Sequence, residues 1–124
     1  MMRIWWDEWR GSLDGRPTLW IKRLFGAWGW RTSLHMMVKA DDAECFHTHP
    51  ATAIRVILAG GYVEELEGGV EREWRPGMVG IVRPALSHRI ARLRGDRSFS
   101  LWIRAPKSAA IQLRGAGFAA KVEP

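Results

Sequence analysis

The residues best suited to chemistry in this 124-residue chain are its histidines, and two of the four form His47-Thr48-His49. On a β-strand, residues i and i+2 point to the same face. An H-x-H pair therefore aims two imidazoles into one space, close enough to share a metal ion. Imidazole is a good ligand for zinc, iron, copper and nickel. A third ligand has to come from another strand, and His88 stands after a Pro-Gly turn and a second proline. Taken alone, an H-x-H pair reads as two surface histidines on a strand, so the surrounding sequence has to decide.

Three further residues have reactive or polar side chains near this pair. Cys45 lies two residues before His47 and alternates to the same side; a lone cysteine is a small apolar filler, a fourth ligand or a redox-sensitive thiol. His35, in the run Leu34-His35-Met36-Met37, either orients a metal ligand or is a core histidine bonded to the backbone. Tyr62, the only tyrosine, follows Gly60-Gly61 and either places a hydroxyl at the site or packs in the core.

The elements that must position these residues read as short strands. Candidates are 19–24, 30–38, 44–47, 53–59, 62–66, 78–82, 88–92 and 99–104, separated by Gly, Pro and Asp breaks. Close, even spacing of this kind predicts an all-β antiparallel sandwich or barrel. Gly60-Gly61 and Gly68-Gly69 read as hairpin turns. Residues 2–10 could form a short helix, with Ile4, Trp5 and Trp9 on one face. The expected organisation is an N-terminal extension over 1–17, helical or irregular, a barrel over 18–106, and a loosely packed tail over 107–124.

Two segments carry a family resemblance. His47 to Gly61 reads HTHPATAIRVILAGG, and Pro76 to His88 reads PGMVGIVRPALSH. Together they resemble the two motifs of the cupin superfamily: a histidine pair before a proline, with a glycine closing the strand, and then Pro-Gly, a strand, a proline and a histidine. The resemblance spans 45–104, about half of the chain. It implies a single-domain cupin fold, a double-stranded β-helix or jelly-roll barrel, with one divalent metal on His47, His49 and His88.

The glutamate ligand usual in that family falls at Ala53 here, and alanine cannot bind metal. The remaining three-histidine pattern is similar to that of the thiol dioxygenases, which use ferrous iron. HTHP, LAGGYVEEL and LWIRAPK also look like small cysteine-dioxygenase-like cupins. Fe(II) is the metal this implies, with Zn, Ni, Cu or Mn as alternatives. Three neutral ligands leave the full charge on the ion and leave positions open for substrate and oxygen. The Ala53 position is expected to be open space beside the metal. Arg55, two residues on, shares the inward face. A buried arginine needs a partner, either a substrate carboxylate or Glu64 or Glu65 on the neighbouring strand. Arg55, Tyr62 and His35 are thus the candidate substrate-binding residues.

Composition narrows the function class. Apolar residues make up 47%, ordinary for a globular core, and no apolar run approaches the ~20 residues needed to span a bilayer. The opening MMRIWWDEWR does not read as a secretory signal, and the single cysteine excludes a disulfide within the chain, so a cytoplasmic location is expected. Net charge is +6, but the arginines are spread through strand-like sequence, which reads as a solvated basic face and argues against nucleic acid. No phosphate loop or nucleophile elbow is present. Eight tryptophans, six of them within the first thirty residues, must be buried in the barrel wall or at a subunit contact, and a homodimer through them is expected. The function that fits is a metal-binding cupin, a mononuclear non-haem iron dioxygenase-like enzyme for a small anionic substrate, with a thiol as one candidate. The alternatives are a ligand-binding or sensor module without catalysis, and a metal-dependent isomerase or lyase.

Overall fold

The computed structural model describes residues 5–11, 14–41, 46–48, 51–106, 113–114 and 121–122, and for His47, 113–114 and 121–122 the backbone alone. Among these residues the strands are β1 (Glu8–Gly11), β2 (Pro17–Ala27), β3 (Trp30–Met37), β4 (Phe46–His47), β5 (Ala53–Ala59) and β6 (Tyr62–Leu66). They continue with β7 (Glu71–Trp74), β8 (Val79–Val82), β9 (His88–Leu93), β10 (Ser98–Arg104), β11 (Leu113–Arg114) and β12 (Lys121–Val122). A seven-stranded sheet runs β12-β1-β2-β3-β10-β5-β8, and a five-stranded sheet runs β11-β4-β9-β6-β7. All pairings are antiparallel. The chain is all-β, as expected, because its segments between Gly, Pro and Asp breaks are short and rich in β-branched and aromatic residues.

Period-two alternation sets which side chains enter the space between the sheets. Along β5, Ala53, Arg55 and Ile57 are buried, and along β6 Tyr62 and Glu64 are. Met37 and Ile57 from the larger sheet meet Tyr62, Trp74 and Ile90 from the smaller one, forming the core that joins the layers. Burying each such side chain contributes about 1.5–3 kcal/mol.

Gly60-Gly61 differs from the expected hairpin turn. It carries the chain from β5 in one sheet to β6 in the other, so the strands it links do not pair. Both residues have positive φ, 75° and 91°. A Cβ on Gly60 would lie 2.1 Å from the Arg97 carbonyl oxygen, and one on Gly61 2.1 Å from that of Trp74. Only glycine fits this crossing. Gly68-Gly69 does close a hairpin, between the paired strands β6 and β7.

The N-terminal segment is also corrected. Instead of a helix, Glu8–Gly11 forms β1, which pairs with β2 and β12. Trp6, Trp9 and Trp20 are buried there with Met36, packed on the face of the sheet turned away from the barrel interior. The tail contributes two short paired strands, β11 against β4 and β12 against β1. No helix among the described residues is long and apolar enough to cross a membrane.

Candidate functional site

The most concentrated polar chemistry inside the barrel centres on Glu64. Its position follows from β6, where Tyr62 and Glu64 alternate onto the buried face. Glu64 Oε1 accepts from Arg55 Nη2 at 3.1 Å and from Trp74 Nε1 at 3.0 Å. Its Oε2 accepts from Arg55 Nη1 at 2.9 Å and from His88 Nδ1. Arg55 and Glu64 are each 0% exposed. A bidentate guanidinium–carboxylate pair is the arrangement best able to compensate two buried charges.

Arg55 is enclosed on its other sides as well. Its guanidinium carbon lies 3.9 Å from the centroid of the Trp74 ring and 5.5 Å from that of Trp102. Its Nη1 also donates to the Tyr62 hydroxyl at 3.2 Å. Gly80, opposite Arg55 in the β5–β8 register, makes room for the Trp74 indole: a Cβ there would lie 2.2 Å from the ring.

The charge states follow from this geometry. Burial alone would raise the Glu64 carboxyl, but the hydrogen bonds from His88 and Arg55 and the Arg55 charge outweigh it and hold the group below the usual carboxylate range. Burial pushes the Tyr62 hydroxyl up to about 12, against the opposing pull of Arg55. Glu64 is therefore ionised and can only accept, so the proton on the shared contact belongs to His88 Nδ1. In a neutral imidazole so fixed, Nε2 carries the lone pair.

His47 stands opposite His88 in the β4–β9 register. Residues directly opposed in an antiparallel pair share a face of the sheet. His49 and Cys45, and the side chain of His47, lie outside the described residues. Among the described residues no three His, Cys, Asp or Glu side chains come together as a metal cage.

The three candidate substrate-binding residues are brought into one interior but bonded differently. Arg55 takes Glu64, the ionic partner weighed from the sequence, and Tyr62 accepts from Arg55. His35 stacks on Trp102, with ring centroids 5.2 Å apart and 19° between planes, and its Nε2 lies 3.1 Å from Ser33 Oγ. Burial, reinforced by the charge of Arg10, pushes the His35 imidazole down to about 3, so it is neutral at ordinary pH. Ala53 is buried with Val82 and Trp102, with Leu86 packed against them, so apolar side chains adjoin the position expected to be open. The sequence reading missed Trp74, whose indole N–H completes the Glu64 cage; strand pairing places it opposite Tyr62, and the charged run before it gives no strand signal.

No family model and no curated protein matches the chain. Solved structures do. A proposed mannose-6-phosphate isomerase from Ralstonia eutropha JMP134 is 21% identical, with a TM-score of 0.65, over 74% of this chain and 88% of that one. A cupin-like protein from Thermotoga maritima is 18% identical, also with a TM-score of 0.65, over 86% of this chain and 84% of that one. The Fe(II) form of HppE is 13% identical, with a TM-score of 0.59, over 77% of this chain and 56% of that one. At these identities the likeness speaks for architecture, and together with the two antiparallel sheets it shows that the chain has the cupin, or double-stranded β-helix, fold.

Proposed function

We propose that this chain is a metal-binding cupin in which His47, His49 and His88 hold one divalent ion, with Fe(II) as the working metal. In this reading it acts as a mononuclear non-haem iron dioxygenase-like enzyme on a small anionic substrate, with thiols the first class to test. The observation that carries the proposal is the hydrogen bond from His88 Nδ1 to the buried Glu64 carboxylate. Metal-binding histidines typically donate their second ring nitrogen to a carboxylate, which fixes the tautomer and raises ligand basicity. The His47–His88 register and the iron in the HppE structure support the same reading.

The residues fit such an ion. His88 directs its Nδ1 proton at Glu64 and would offer Nε2 to the ion, and an ionised Glu64 behind it strengthens that donor without itself becoming a ligand. Arg55 offsets the Glu64 charge and holds it in one orientation, while Trp74 fills its remaining lone pair. In this reading Arg55 and Tyr62 are positioning residues, because their polar atoms are committed to one another and to Glu64. When bound, the ion supplies Lewis acidity and access to oxygen chemistry. The chain supplies ligand orientation and an interior lined by Trp102 and Ile57 that restricts water.

Metal analysis after expression in iron-supplemented medium, followed by oxygen uptake on a thiol panel, tests the proposal. The expected result is about one iron per chain, lost on His47→Ala, His49→Ala or His88→Ala. Full metal occupancy in the His88→Ala protein sinks the three-histidine site. Metal that binds at these residues without oxygen uptake on any thiol removes the dioxygenase reading and leaves the metal centre.

A further inference from the structure

A second polar group lies on the barrel-facing side of the seven-stranded sheet, away from Glu64, and it is mostly cationic. In the seven-stranded sheet Glu8 stands opposite Ile21, Ile21 opposite His35, and His35 opposite Ser100. Arg10 is two residues from Glu8, and Arg104 is two residues from Trp102, so both belong to the face that carries His35. Arg31 is opposite Arg104, and Arg23 is opposite Ser33, on the same face. Four arginines therefore share this face of the sheet with one described carboxylate, Glu8, which Arg23 Nη2 approaches at 3.5 Å.

Arg10 and Arg104 are partly buried, and Arg31, opposite Arg104, is exposed. Among the described residues, no hydrogen bond or ion pair engages the side chain of Arg10, Arg31 or Arg104. The Nε atoms of Arg10 and Arg104 are fully enclosed and have no acceptor. A buried donor without an acceptor is destabilising, and more so when it is charged and near other cations. Sequences do not retain such an arrangement for stability, since apolar residues would pack there at less cost. An anion that supplies the missing acceptors gives the arrangement a purpose.

We propose that Arg10, Arg31 and Arg104 form a binding site for a small oxyanion, a carboxylate or phosphate group, on the face of the sheet that carries His35. Guanidinium forks match the planar, multiple acceptors of such groups. Burial lowers the pKa of both Arg10 and Arg104, the charges of Arg31 and Arg10 lower that of Arg104 further, and the nearby Glu8 carboxylate only partly offsets this in each. His35, neutral beside Arg10, adds a polar group without adding charge.

The position deepens the function proposed above, and rests on it only for the identity of the anion as part of a substrate. One indole separates the two polar groups. Trp102 stacks on His35 and lies 5.5 Å from the Arg55 guanidinium, which holds Glu64 and through it His88. A ligand anchored by its anionic group at Arg10 and Arg104 would extend past Trp102 towards His88.

Thermal melting of the full chain in sodium phosphate or sodium malonate, against sodium chloride at equal ionic strength, tests the site. Phosphate, malonate or both should raise the Tm of the native protein by several degrees above chloride. Arg10→Gln and Arg104→Gln should each melt higher than the native protein in chloride, because an enclosed Nε without an acceptor is gone and one charge fewer is crowded there, and each should lose at least tenfold in anion affinity. An anion-dependent rise that persists undiminished in Arg104→Gln, or its absence from the native protein, overturns the proposal. His88→Ala should keep the rise, so failure of the metal centre and failure of the anion site give different results.

Discussion

Glu64 is where the chemistry of single residues decides most. It accepts from Arg55, Trp74 and His88 while fully buried, so its charge is both costly and matched. Glu64→Gln leaves Arg55 buried without a counter-charge and should destabilise the protein at pH 7 by about 3–5 kcal/mol. Metal affinity should fall by roughly 10–100-fold, because His88 loses its orienting carboxylate. The sign of the pH effect follows from the lowered pKa: the ionised group contributes stability that is present above its unfolded value of 4.5 and is lost as pH falls towards the folded value. Chemical denaturation between pH 7 and 3 should show a steep loss below 4.5 in the native protein and a shallower one in Glu64→Gln. Asp7, Glu71 and Glu73 are lowered too, but they lie in solvent and contribute little to that slope. A Glu64→Gln protein as stable as the native one at pH 7 would mean that the Arg55 pair does not hold the interior. The double variant Arg55→Met, Glu64→Met should lose less than the summed singles, since it removes both charges together.

Among the elements, β7 and β8 show why part of the site escaped the sequence. Strands 53–59 and 62–66 were legible because β-branched and aromatic residues alternate there between glycines, and the alternation also put Arg55 and Glu64 on buried faces. Glu71–Trp74 was not legible, because three of its four residues are charged or exposed and only Trp74 points inward. The helix expected over 2–10 rested on the spacing of Trp5 and Trp9, which matches a helical face; pairing with β2 and β12 overrides that local pattern. The arginine cluster was hidden for another reason, since Arg10, Arg31 and Arg104 come from three strands far apart in the chain and only sheet order brings them together. Gly80 connects the two elements physically. It is opposite Arg55, and the Trp74 ring occupies the space a side chain would fill. Gly80→Ala should force Trp74 off Glu64 and Arg55, with a loss of about 1–3 kcal/mol and a shifted tryptophan emission. Unchanged stability and emission would show that β8 yields readily and that Trp74 is not clamped there.

At the scale of the whole molecule, the outward face of the seven-stranded sheet is unusually apolar. Phe25, Thr32, Ile103, Ile54 and Ile81 stand in one row across five strands, and Leu34, Leu101, Val56 and Val79 stand in the next. An antiparallel sheet with one face on the core normally turns polar residues outward. Here Phe25 is 72% exposed, Val79 63% and Ile81 59%, and the β2–β3 turn adds Trp28 at 94%. Phe25, Trp28 and Trp30 also line a shallow pocket at that turn. The N-terminal tryptophans thus divide: Trp6, Trp9 and Trp20 are spent inside the chain, while Trp28 and Trp30 are free for a contact. The first row spans five strands and the second four, ending at Lys22 on β2, with exposed aromatics at one end, an apolar surface of the kind that marks a subunit contact. A second copy fits because a sheet face can pack on its own equivalent about a two-fold axis, the commonest oligomer symmetry. Light scattering after size exclusion at micromolar concentration should give a mass near twice 14.1 kDa. Ile81→Glu, on the outward face and away from Arg55, should give a folded monomer. A native protein that elutes as a 14.1 kDa monomer across that range would rule out a stable homodimer through this face.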